Sequence, residues 1–207
     1  SILVRSMFDW VSSGGVLMLP IVLASILALA ICLERLWFLQ KEKIVPGDCL
    51  SGFQDLLNQK KYTEEELRSQ ASSSLVGWVC FDILKKASSG REDMREAMEV
   101  SLNQATYILE RYLTALGVIA SVSPLLGLLG TVIGMIDVFD TITDTGSKSA
   151  VSLAGGISTA LITTASGLIV AIPSLVMHRM FVRRVEEFVS EMEQKGTKFI
   201  DFLYNGS

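Results

Sequence analysis

Three stretches of the chain, residues 10–33, 112–136 and 149–177, contain no Asp, Glu, Lys, Arg or His. They run for 24, 25 and 29 residues. A helix needs only about 20 apolar residues to cross a hydrocarbon core roughly 30 Å thick, so each stretch predicts a membrane-spanning helix. Between the first two lies a polar block, residues 34–111, which holds 24 of the 40 charges. Arg35, Lys41 and Lys43 follow the first stretch, Arg111 precedes the second, and Arg179, Arg183 and Arg184 follow the third. The short segment 137–148 carries three aspartates against one lysine. The distribution of basic residues therefore predicts an outer N-terminus, an inner polar block, an outer aspartate loop and an inner C-terminus.

Within the polar block, Thr63-Glu64-Glu65-Glu66 and Ser89-Gly90-Arg91-Glu92 fit the capping box, in which a hydroxyl and a glutamate three residues on satisfy free amide donors at a helix start. Pro46-Gly47-Asp48 reads as a turn. Met94, Met98, Ala105, Ile108 and Tyr112 recur at helical spacing with no breaker, predicting one helix that runs on into the second span. The third span likewise continues, with Val182, Val185, Val189 and Met192 in phase and Arg183 placed to pair with Glu186 or Glu187.

The spans differ in kind. The first is bulky and aliphatic, with Pro20 near its outer end, and reads as a lipid-facing helix. In the second, Ser123, Gly127, Gly130 and Gly134 share a narrow arc bordered by Thr131. In the third, Ser152, Gly156, Thr159, Thr163, Ser166 and Val170 form a stripe, with Thr164 about a quarter turn away near Ala160 and Ala171. Small residues let helix backbones approach closely, and hydroxyls either bond back to the carbonyl four residues earlier or line a polar path. Gly127, Gly130, Gly134 and Gly156 are the packing candidates. Thr131, Thr159, Thr163 and Thr164 are the pore-lining candidates.

Composition narrows the classes. Half the residues are hydrophobic and the mean hydropathy is +0.45, more apolar surface than a small soluble domain buries. A net charge of −4, without a basic patch, gives no footprint for nucleic acid. Cys32, Cys49 and Cys80 lack metal-ligand spacing and read as unpaired thiols, so no metal or cofactor is expected. The N-terminal apolar stretch reads as a span rather than a secretory signal, being long, free of an Ala-x-Ala end and closed by Glu34-Arg35. No span pairs serine with histidine or sets two aspartates together, which argues against an intramembrane enzyme. No carboxylate, lysine or histidine lies within a span either, so a proton crossing here needs an acid from another chain. His178, at the inner end of the third span, reads as an interfacial residue or an exit relay. Asp137 and Asp140 read as loop charges or a cation-gathering mouth. Arg179, Arg183 and Arg184 fit topology anchors or a site for acidic lipid head groups, and Trp10, Trp37 and Phe38 fit interface aromatics.

The run Ser123-Pro124-Leu125-Leu126-Gly127-Leu128-Leu129-Gly130-Thr131-Val132-Ile133-Gly134-Met135 resembles the signature of the ExbB/TolQ/MotA family of proton-channel subunits. Glu34-Arg35-Leu36 and the stretch from Gly155-Gly156-Ile157-Ser158-Thr159 through Thr163-Thr164 to Ala171-Ile172-Pro173 fit the same family, and three spans favour its ExbB/TolQ branch. The resemblance implies an all-α polytopic protein of the cell inner membrane. It places a periplasmic N-terminus at 1–15, spans at 16–33, 112–139 and 151–177, a cytoplasmic helical domain at 34–111, a periplasmic loop at 140–150 and a cytoplasmic C-terminal helix at 178–207. Two spans would extend into long cytoplasmic helices, packed in a ring-like homo-oligomer, a pentamer in the best understood relatives. The implied partners are a single-span ExbD- or TolR-type protein carrying a membrane aspartate, a TonB-like protein, and membrane lipids. Thr131 and Thr164 match the threonines thought to face that aspartate, while Thr159 stands where some relatives carry glutamate. The implied activity is conversion of the proton gradient into work for outer-membrane import. A TolQ-type role in the envelope and a non-conducting scaffold are the alternatives.

Overall fold

The computed structural model describes residues 15–59, 63–145 and 150–205, with side chains described outside 141–153. Regular structure among these residues is helical: α1 (Met18–Phe38), α2 (Lys41–Ile44), α3 (Cys49–Asn58), α4 (Glu64–Ser72), α5 (Leu75–Lys85), α6 (Arg91–Leu109), α7 (Leu113–Thr145) and α8 (Ala150–Asn205). Three helices contain segments long and apolar enough to cross a membrane, Met18–Phe38, Leu113–Asp140 and Ala154–Asn205, with mean hydropathies of 2.1, 2.1 and 2.0. Trp10 and the rest of residues 1–14, Lys148 and the Ser152 side chain fall outside the described residues.

The chain divides into two units at 33/34, 111/112 and 179/180. In the apolar unit, α1 buries Met18, Ile21 and Ala28, while Leu19, Leu23, Ile26, Leu27, Leu29 and Leu33 stay more than half exposed. Pro20 stands in its first turn, where a missing amide costs nothing. Helices α7 and α8 also leave bulky aliphatic faces uncovered, including Leu125, Leu128, Val132, Leu161, Ile169 and Ile172. So much exposed apolar surface is what a lipid-facing unit carries, since in water it would be an aggregation site.

The polar unit has a conventional core. Met94, Met98, Leu102, Ala105 and Leu109 of α6 are buried in phase, as are Phe181, Val185, Phe188, Met192 and Phe199 of α8. Phe53 meets Phe199 with ring centroids 5.7 Å apart. Met98 lies over Gly196, where an added Cβ would come within 2.6 Å of its sulfur. Ion pairs Lys41–Glu191 (3.1 Å) and Arg91–Asp201 (2.6 Å) and the Lys195 Nζ donation to the Pro46 carbonyl (2.6 Å) tie the end of α8 to the rest of this unit. Of the expected α8 stripe, Val185 and Met192 are buried, while Val182 and Val189 are half-buried beside the buried Phe181 and Phe188.

Local signals have mixed outcomes. Thr63 and Glu66 form the capping box, with the Thr63 amide 2.9 Å from Glu66 Oε2. The second box does not form. Gly90, at φ 118°, is the N-cap of α6, and Met94 N–H bonds to its carbonyl, so the helix begins one residue too late for Ser89 to cap it. Glycine takes that φ without the steric penalty a side chain would bring. Turn geometry at Gly47 and Asp48 and the Arg183–Glu187 pair (3.1 Å) are present.

The expected continuous helix through 109–113 is also corrected. α6 ends at Leu109, Tyr112 adopts φ 65°, and α7 restarts with the Leu116 N–H on the Tyr112 carbonyl. One helix with a long polar extension, α8, therefore replaces the expected two. Ile108 and Tyr112 are correspondingly exposed, at 42% and 43%. A left-handed residue other than glycine costs about 1–2 kcal/mol, and burial around the break offsets it. Leu109 on one side is fully buried, and its carbonyl receives Arg35 Nη1 at 3.1 Å.

Candidate functional site

Helices α7 and α8 run antiparallel in the apolar unit and touch through their small residues. An added Cβ at Gly134 would stand 3.1 Å from Ala160 Cβ, one at Gly127 3.0 Å from Thr164 Cα, and one at Gly167 2.5 Å from the Ser123 carbonyl oxygen. Gly130 packs on the Thr163 methyl, Gly156 on Val138, and Gly117 under the His178 ring. Helix backbones meet this closely only where no Cβ intervenes, which is why Gly127, Gly130 and Gly134 follow at three- and four-residue spacing on the α7 side of the seam. Gly127, Gly130, Gly134 and Gly156 all lie on it. Gly155 faces open space.

Most hydroxyls on these helices are used locally. Ser123 donates to the Ile119 carbonyl (2.7 Å), Thr163 to Thr159 (3.0 Å), Ser166 to Ile162 (2.8 Å) and Ser174 to Val170 (2.7 Å), each four residues back. Such bonds stabilise a polar group in an apolar setting without offering it to a ligand. Thr164 breaks the pattern. Its Oγ1 crosses the seam to donate to the Gly127 carbonyl of α7 at 2.9 Å, and it hydrogen-bonds Thr131 Oγ1, which also lies 3.3 Å from that carbonyl. Two hydroxyls and one carbonyl thus form a cluster, and both threonines are only partly buried.

The hydrogen count defines what this cluster does. Each hydroxyl has one hydrogen and two lone pairs. With one hydrogen on the Gly127 carbonyl and the other in the Thr131–Thr164 bond, the outward capacity that remains is to accept. The cluster then complements a protonated acid as it stands. Meeting a carboxylate requires one hydroxyl to swing out and donate, at the cost of an internal hydrogen bond, about 0.5–1.5 kcal/mol.

Thr163 is 1% exposed and enclosed between the helices, while Thr159 is half-buried more than one turn before Thr164 on α8. The structure brings Thr131 and Thr164 into contact and keeps Thr159 and Thr163 outside that pair. Asp137 and Asp140 stand exposed on α7 itself, which continues to Thr145, rather than in a loop. Arg179, Arg183 and Arg184 are exposed, and Trp37, 68% exposed, carries Lys43 Nζ 3.8 Å from its ring centroid. Among the described residues no group of three metal-ligating side chains occurs.

Sequence reasoning treated Arg35 as a topology marker, whereas the structure buries it to 1%. Its guanidinium binds both Glu34 oxygens (2.5 and 2.6 Å) and the Leu109 carbonyl, and lies 4.6 Å from the centroid of Phe38. The adjacent Glu34-Arg35 pair was the available signal, because an arginine buried this deeply requires a carboxylate partner.

Comparison with known proteins adds an independent line. The model of the MotA/TolQ/ExbB proton channel family matches residues 58–194. An ExbB-like 1 biopolymer transport protein of Synechocystis is 35% identical over 184 residues, covering 85% of this chain and 70% of the relative. Biopolymer transport protein ExbB of Salmonella typhimurium is 32% identical over 109 residues (51% of this chain, 45% of the relative). The Tol-Pal system protein TolQ of Haemophilus influenzae is 33% identical over 131 residues (61% and 56%).

Proposed function

Because the chain belongs to the MotA/TolQ/ExbB proton channel family, we propose that it is an ExbB-type stator subunit of the cell inner membrane. It assembles as a ring-like homo-oligomer, a pentamer, around the spanning helix of an ExbD- or TolR-type partner. The partner's membrane aspartate carries the proton, and the movement is delivered to a TonB-like protein for outer-membrane import. The N-terminus is periplasmic, the polar unit and C-terminus cytoplasmic.

The observation that carries this reading is the Thr131–Thr164 cluster on the Gly127 carbonyl. Protonated, the aspartate donates to the cluster in its resting arrangement. Ionised, it draws one hydroxyl outward. The difference, about 0.5–1.5 kcal/mol for the internal bond, is smaller than the roughly 2.3 kcal/mol released per charge crossing 100 mV. The gradient is therefore sufficient to drive the exchange, and the wall distinguishes the two protonation states without a titratable group of its own. The exposed Arg179, Arg183 and Arg184 suit acidic lipid head groups at the inner face.

The test is Thr164→Val beside Thr164→Ser in the full complex. Valine keeps the shape and removes the donor, so gradient-dependent import is expected to fall at least tenfold while assembly persists. An interhelical hydrogen bond in a membrane is worth only about 0.6 kcal/mol. Serine is expected to retain activity. Full activity of the valine variant would refute the stator mechanism and favour a non-conducting scaffold. The comparisons include TolQ relatives at similar identity, and co-purification with an ExbD- or a TolR-type partner separates those two roles.

A further inference from the structure

The run Thr106-Tyr107-Ile108-Leu109-Glu110-Arg111-Tyr112-Leu113-Thr114-Ala115-Leu116 contains neither glycine nor proline, and nothing in it would stop a helix. The backbone breaks there all the same. The Glu110 amide closes α6 on the Thr106 carbonyl, Tyr112 stands at φ 65°, and the Leu116 amide opens α7 on the Tyr112 carbonyl. Ile108 and Tyr112 are both exposed, so neither side chain is locked into a core by the break.

An unbroken helix would give the Leu109 carbonyl to the Leu113 amide, four residues on. Arg35 is its donor instead, from Nη1 at 3.1 Å. The arginine stands 74 positions earlier, near the end of α1, and is 1% exposed. Its Nε and Nη2 donate to the two Glu34 oxygens at 2.5 and 2.6 Å, which leaves Nη1 aimed at the carbonyl. One buried residue's carbonyl thus has two available donors. The local amide requires a right-handed Tyr112, whereas the guanidinium is compatible with the left-handed one. A charged donor is the stronger of the two, and the left-handed turn at a tyrosine works against it.

We propose that residues 109–113 form a two-state joint with Arg35 as its latch. The joint is broken while Arg35 holds the Leu109 carbonyl, and continuous when the Leu113 amide takes that carbonyl and Tyr112 turns right-handed. Glu34, whose side chain is 42% exposed, keeps the guanidinium in aim and is the accessible part of the latch. Because the two states exchange one hydrogen bond for another, opposing terms nearly cancel and a small bias moves the balance. A hydrogen-bonded joint passes a turn of one helix on to the next, and an open one absorbs it. The device uses none of the residues of the hydroxyl cluster.

The test reads the Leu113 amide directly. Tyrosine is followed by leucine only at Tyr112-Leu113, so the full chain labelled with carbonyl-¹³C tyrosine and ¹⁵N leucine gives one selected amide signal by NMR in lipid vesicles. Its exchange with deuterium is fast when the joint is broken and slow when it is continuous. The parent and Tyr112→Gly are expected to exchange fast. Tyr112→Val, which disfavours the left-handed turn, is expected to slow exchange about fivefold or more, and Arg35→Met about tenfold. The two Tyr112 variants keep the arginine in place, so their comparison stands even where Arg35→Met fails to fold. Equal exchange in the parent, Tyr112→Gly and Tyr112→Val would overturn the proposal, as would a slow-exchanging Leu113 amide in the parent.

Discussion

Gly167→Ala probes the α7–α8 seam most sharply. The new Cβ would stand 2.5 Å from the Ser123 carbonyl oxygen and 3.1 Å from Gly127 Cα. Ordinary carbon–oxygen contact is near 3.3 Å, so the helices must part by about 0.8 Å, and both obstacles are backbone, with no flexible side-chain end to give way. Forcing a methyl into a packed interface costs about 1–3 kcal/mol. The same parting stretches the 2.9 Å bond from Thr164 to the Gly127 carbonyl. Gly155→Ala is the matched control. Nothing lies within 4 Å of its Cβ, and alanine is better than glycine inside a helix by up to about 1 kcal/mol. Thermal unfolding in detergent, followed by circular dichroism, is expected to place Gly167→Ala below the parent and Gly155→Ala at or above it. Gradient-dependent activity should follow the same order. Equal melting of the two variants would refute the close-packed seam.

Arg35→Met should destabilise the chain by about 1.5–3 kcal/mol, the range for hydrogen bonds to a charged group, because the Leu109 carbonyl loses its donor. Arg35→Lys should not restore melting, since an ammonium cannot reproduce the two-pronged contact with Glu34. Tyr112→Val puts a β-branched side chain at φ 65° and should cost a further 1–2 kcal/mol or about that, whereas Tyr112→Asn should be tolerated; melting in micelles distinguishes them. Cys49 should be alkylated at lower pH than an ordinary thiol, because its lowered pKa leaves thiolate present on the acid side of the usual range. Ser74→Ala should move that onset upward, read from rates of iodoacetamide labelling across pH.

The membrane half was largely legible because lipid excludes charge, and three uncharged stretches can hardly be anything else. Glycine spacing in α7 and α8 announced a close seam for a similar reason, since few other demands produce it. The direction of a threonine hydroxyl was not legible. Thr163 and Thr164 are adjacent, yet one bonds within its helix and the other across the seam, a choice set by where the Gly127 carbonyl stands. Tyr112 carried no turn signal, since neither glycine nor asparagine stands at this left-handed position. Ser89 carried a signal that Gly90 overrode by starting the helix later. Nor could spacing reveal that Cys49 and Ser74, on separate elements, meet at 3.6 Å in the core of the polar unit.

A seam of glycine, alanine and serine resists separation but scarcely resists sliding, because one small residue substitutes for the next. A shift of one turn, about 5.4 Å, would still set small residues against small residues, though it would take Val138 off Gly156 and Thr163 off Gly130. The bond from Thr164 to the Gly127 carbonyl removes that degeneracy, since a slipped helix would aim the hydroxyl elsewhere. Thr164 thus acts as an indexing pin, fixing at what depth in the membrane two otherwise interchangeable faces come to rest.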